Sequence, residues 1–140
     1  MIIKNPRKES GQSLVEFAVV LPLLLLLVFG IIEFGRIFQA SLVVNHAARE
    51  SARQAIVAED AREATIKQVV EIAGSSLGLI FEDNVTTYPS GDKALNNLLR
   101  GQTLIVQVDY DVKLVTPIIS SIISDDGKYS VQGKVYMMVE

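Results

Sequence analysis

The chain contains no cysteine, a single histidine and four prolines in 140 residues. Without cysteine there are no disulfides, no thiolate catalysis and no cysteine-ligated zinc, although the compartment is not fixed by that absence. A lone histidine, His46, with no acidic pair beside it, reads as a surface or packing residue of a helix, not a metal ligand. Basic residues are also short overall: the formal net charge is -3. That argues against a nucleic-acid partner, which needs clustered Lys and Arg to neutralise phosphates. No G-x-S-x-G, P-loop or dinucleotide fingerprint occurs. Asp109, Asp111, Asp125 and Asp126 lack the spacing and terminal Glu of a calcium loop. They read as the wet face of a strand and a turn. Neither a cofactor, a metal nor an enzymatic activity is expected.

What the chain does have is one long apolar run. Mean hydropathy is +0.34 overall, and the excess sits between Leu14 and Ile32. Phe17 to Ile32 carries no charge, and Leu23 to Leu27 are consecutive leucines. That approaches the roughly 20 residues needed to cross a bilayer core. A soluble core helix is rarely apolar on every side. A signal peptide would end in a small-x-small site, whereas Glu33-Phe34-Gly35-Arg36 follows. The run therefore reads as a retained transmembrane helix over 12–36. Lys4, Arg7 and Lys8 precede it, which predicts a cytoplasmic N-terminus and an extracytoplasmic remainder. Glu33 stands one turn before Arg36 and can pair with it. Pro22, Gly30 and Gly35 fit ordinary membrane-helix composition.

Helical periodicity continues beyond Arg36. Ala40, Val44, Ala47, Ala48, Ala52, Ala55 and Ile56 recur at threes and fours, a narrow face suited to close packing. Asn45, Arg49, Glu50, Arg53 and Gln54 form the other face. The pattern predicts one helix from about Ser13 to Ala58, with a helical extension over 37–58. It is expected to pack on the chain's own sheet, with contact to neighbouring subunits in addition. Asp60 and Glu63 form a capping-box pattern for a second helix over about 61–77, ended by Gly74 and Gly78. Val85 to Tyr88 reads as a short strand within a stretch of loop signals. Strict alternation over about 103–115 and again over 129–139 gives two longer strands. Leu104, Val106, Val108, Tyr110, Val112 and Leu114 share one face of the first. Val131, Gly133, Val135, Met137 and Val139 share one face of the second. Thr116-Pro117 opens a short helical turn, and Asp126-Gly127 signals a turn. The expected fold is α+β: a long N-terminal helix, a second helix, and a small antiparallel sheet packed on the long helix's outer half.

Glu16 stands inside the apolar segment. One account is local: Ser13 caps the helix, and Glu16 bonds back to its amide. The other starts from Gly11, which separates a basic leader from the helix. Glu16 is the fifth residue after it, and Phe17 follows.

Here "GQSLVEFAVVLPLLLLLVFGIIEFGR" and "NHAARESAR" resemble the TadE-like pseudopilins of tight-adherence (Flp, type IVc) pilus systems, within the type IV pilin superfamily. The resemblance covers roughly the first 60 residues; beyond them only a strand, a "TP" loop and a final strand are similar. It implies a leader over 1–11 cut by a prepilin peptidase between Gly11 and Gln12. It implies a role for Glu16 and Phe17 in assembly register, and an extracytoplasmic domain over 37–140. It implies a minor component of a pilus used in surface attachment. The implied partners are the membrane, the peptidase, other pilins and pseudopilins, and the assembly platform. Two alternatives stand beside it: a pseudopilin of a secretion apparatus, and an uncleaved membrane-anchored binding module.

Overall fold

A computed structural model describes residues 7–123 and 126–139. Residues 1–6, with the Lys4 of the expected leader, lie outside the described residues, as does Asp125. A single helix dominates: α1, Arg7–Val57. Its 51 residues extend about 76 Å at ~1.5 Å per residue. Pro22 lies inside it without ending it. The helix starts upstream of Ser13, so Ser13 is not an N-cap; the capping-box account of Ser13 and Glu16 fails because its boundary is not there.

After α1 come a short 3-10 turn at Glu59–Ala61 and α2, Arg62–Ala73. Asp60 falls within the turn, and Ala61 takes the N-cap position with no side-chain cap. The expected Asp60–Glu63 capping box is therefore not formed. The first amide of α2 is satisfied instead by Asn96 Oδ1, 3.1 Å from Arg62 N. Gly74 ends α2, a second 3-10 turn follows at Ser75–Leu77, and Gly78 adopts φ +66°. Left-handed backbone of that kind favours glycine. The helix expected over 61–77 is thus one helix and one turn.

The stretch read as loop contains two short helices, α3 (Phe81–Asn84) and α4 (Asp92–Asn96). Strands β1 (Val85–Tyr88), β2 (Thr103–Lys113) and β3 (Lys128–Met138) form an antiparallel sheet in the order β1-β2-β3. Between β2 and β3 lies α5, Pro117–Ile123. One more bond continues the register past the strand ends: Leu114 N donates to Gly127 O at 2.9 Å, next to the Lys113–Lys128 pair.

The core lies where α1, α2 and the sheet meet. Val44, Ala48, Ala52 and Ala55 of α1 cluster with Ile66 and Val70 of α2, Leu95 of α4, and Leu104, Val106 and Val108 of β2. A second cluster joins Ala40 to Val112 and Val131. The sheet thus covers the outer half of α1, giving the expected α+β architecture. Of the apolar residues of α2, Ile66, Val69 and Val70 are buried, whereas Ile72 is exposed. The inner half of α1 contrasts sharply. Its large apolar side chains from Leu14 to Ile32 are exposed, except Leu21, which is half-buried. It is long and apolar enough to cross a membrane, with no buried residue in its most apolar window. Exposed apolar surface on that scale is costly in water; the helix is consistent with a single-pass membrane anchor.

Candidate functional site

The head of the apolar run is built by helical spacing alone. Gly11, Gln12, Glu16 and Phe17 all lie within α1 and are exposed. Nothing approaches within 4 Å of where a Gly11 side chain would stand. Gln12 Nε2 donates to Glu16 Oε1 at 3.1 Å, an i,i+4 contact that places the two side chains on one face. The Glu16 carboxylate therefore points along the helix surface toward Gln12.

The alanine face is used by the fold itself. Ala40, Val44, Ala47, Ala48, Ala52 and Ala55 are buried, as is Ser51 among them. What lets the sheet come so close is Gly133 on β3. A side chain there would meet Val44 O at 2.8 Å, Val44 C at 3.0 Å and Asn45 Cα at 3.1 Å. All three are backbone atoms, so the glycine is required for contact between strand and helix. Its inward position is legible from alternation; its partner on α1 is not.

At the junction of the two halves of α1 stands Glu33. Although it directly follows the uncharged run, it is only 2% exposed. Its Oε1 accepts from Val115 N at 2.5 Å and Thr116 N at 2.8 Å, and its Oε2 accepts from Arg36 Nη1 at 3.2 Å. Pairing with Arg36 was readable one turn along the helix. The grip on the "TP" loop was missed; a carboxylate at the end of an apolar run, with a remote loop rich in β-branched residues, was the only available signal.

Three polar clusters lie around the domain. Arg62, buried, donates from Nη1 to Leu95 O at 2.9 Å and Asn96 O at 3.1 Å, tying α2 to the end of α4. On the outer helix surface, Glu50 accepts from Arg53 at 2.6 and 3.1 Å and from Gln54 at 2.7 Å. The Arg53 bonds first, and then Gln54, pull its carboxyl down to about 2. Asp109 accepts from Gln132 at 2.8 Å and Gln107 at 2.9 Å, as the wet face of the sheet requires. Among the described residues no group of three or more His, Cys, Asp or Glu side chains could hold a metal ion. His46 is exposed on α1. A cavity of about 520 Å³ beside Pro89 and Thr103 is an open surface groove.

No curated protein and no solved structure matches the chain. A family model does. It covers the apolar run, Glu33 and the alanine face as far as Arg53, and leaves the sheet outside it. Residues 11–53 match the model described as TadE-like protein, so it is along its long helix that this chain is similar to that family.

Proposed function

We propose that the chain is a minor pseudopilin, a structural and assembly component of a tight-adherence pilus that supports surface attachment. One observation carries the reading: the Gly11-Gln12 pair and Glu16-Phe17 stand at the head of a helix whose inner half is bare and apolar and whose outer half carries a folded domain. In this reading residues 1–11 are a leader, 12–36 cross the cytoplasmic membrane, and 37–140 lie outside it. The positive leader keeps the N-terminus in the cytoplasm.

Cleavage after Gly11 frees an amine at Gln12, with a reference pKa of about 7.7–8.0, so it is mostly protonated at neutral pH. In an isolated subunit Glu16 reaches interfacial water. Inside a packed bundle of such helices water is excluded, and an unpaired charge costs about 2.5–3.5 kcal/mol on insertion scales. The cation able to offset that cost is the Gln12 amine of an adjacent subunit displaced along the axis. Glu16 then acts as a register device, penalising every stagger that leaves it alone.

Full-length protein expressed with the system's prepilin peptidase should lose residues 1–11, seen by intact mass and by a new N-terminus at Gln12. An unchanged mass would remove the pseudopilin reading and leave a membrane-anchored module. Mature Glu16→Gln protein should insert in the membrane yet fail to co-purify with the pilus complex. Incorporation equal to that of mature wild type would end the register role.

A further inference from the structure

The β2–β3 hairpin runs down α1 toward the apolar half and is latched there. At its upper end Leu104 to Val108 pack with Ala48 and Ala52. Lower down, Val112 and Val131 pack with Ala40. At the bottom Val115 and Thr116 bond to Glu33. The spacings agree: Ala40 to Glu33 is about 10 Å at ~1.5 Å per helical residue, and Val112 to Val115 is about 10 Å at ~3.3 Å per extended residue. The hairpin tip is thus held at the height of Glu33.

That height is the edge of the apolar span. Leu14 to Ile32 extends about 28 Å along a helix, against a hydrocarbon core of about 30 Å. Glu33 is the first charge after it. The segment held beside Glu33 is itself apolar and open. Val115 is 73% exposed, Ile118 60% and Ile123 43%, with no charge between Leu114 and Ser124. On α1 at the same level, Phe34 and Phe38 are exposed and stacked, with ring centroids 6.3 Å apart. Lys113 and Lys128, paired across the ladder's last rung, are exposed a little farther out, where phosphates of a bilayer would lie.

We propose that Val115–Ile123, which ends with α5, is a second membrane contact, seated in the headgroup–acyl boundary of the leaflet on the domain's side. The partner is the lipid bilayer itself, because the segment continues the lipid-facing surface of α1 without a gap in height. Apolar side chains of this kind enter such a boundary and carry the short helix, Ser121 included, to headgroup depth. Two attachment points fix the tilt and rotation of the domain, which a single helix would leave free. This proposal rests on the anchor reading of α1.

The cysteine-free chain allows single-site labelling in the full-length protein. An environment-sensitive fluorophore is placed by Ile118→Cys, by Ser121→Cys (which leaves every isoleucine in place), by Leu25→Cys in the span, or by Leu99→Cys at the far end of the sheet. The protein is reconstituted at high dilution in vesicles of phosphatidylcholine and phosphatidylglycerol. The labels at 118 and 121 should be quenched by a lipid bearing a shallow nitroxide and shielded several-fold from aqueous iodide relative to 99. Iodide access equal to that at 99 overturns the proposal. Shielding from iodide without lipid quenching also overturns it, since a protein surface would then cover the segment. A label at 25 that lipid does not quench removes the anchor reading as well; quenching at 25 but not at 118 or 121 removes this inference alone.

Discussion

Gly133→Ala tests whether helix and sheet form one closely packed body. The added methyl would stand 2.8 Å from Val44 O and 3.0 Å from Val44 C. Ordinary contact begins near 3.4 Å, so strand or helix must retreat by about 0.5 Å. A flexible side chain could swing away, but these are backbone atoms in a helix buried on that face. Retreat would loosen Val44, Ala48 and Val131 together. Overpacking of this kind costs about 1–3 kcal/mol. For a domain of this size 1 kcal/mol moves the midpoint by roughly 4–8 °C, so a loss on the order of 10 °C is expected. The assay is thermal unfolding of the full chain in detergent, followed by near-ultraviolet circular dichroism of its tyrosines, because the long apolar helix stays folded in detergent. Gly35→Ala is the control: it meets nothing within 4 Å and gains up to about 1 kcal/mol in helix propensity. A Gly133→Ala midpoint within 2 °C of wild type would refute the close approach and with it the account of why this sheet packs on this helix.

Ala48→Arg or Ala52→Arg should destabilise the same domain by about 3 kcal/mol or more, since both positions are fully buried among apolar groups and the charge has no partner there; unchanged melting would show that the face is open and suited to another subunit. Arg62→Ala should cost roughly 2–3 kcal/mol by leaving the carbonyls of Leu95 and Asn96 without their charged donor, and hydrogen exchange should rise first in α4; protection there equal to wild type would contradict this. The Glu50 carboxyl should titrate near 2, not near its ordinary 4.5, when followed by carbon NMR of the side chain. Because the folded value is depressed, its contribution is present above about 4.5 and disappears as pH falls toward 2. Glu50→Gln should remove that dependence, and a midpoint at 4.5 would show the Arg53 and Gln54 bonds are absent in solution.

The parts of the fold legible in the sequence were those with a local period. The alternation of Leu104, Val106 and Val108, and of Val131 and Gly133, is imposed by a pleat with one buried face, and both strands stand there in the structure. The threes and fours of Ala40 to Ala55 mark the buried stripe of α1 in the same way. The caps were less legible. Ser13 and Asp60 each carry the right residue type three before a glutamate, yet helix continuity in one case and Asn96 in the other decides the outcome. Short helices α3 and α4 carry too few turns to show a period at all. At the site itself, Gln12 and Glu16 meet because they are one turn apart, which spacing alone dictates. Glu33 and Val115 meet across 82 positions of chain, and nothing local to either announces it. Glu33 nonetheless had a reason to be read closely. A carboxylate at the boundary of an apolar span needs donors, and one neighbouring arginine leaves an oxygen over. The two amides of the "TP" loop satisfy it. One side chain thus marks where the helix passes from a surface bare of protein contacts to one covered by the sheet, and anchors the hairpin tip at that boundary.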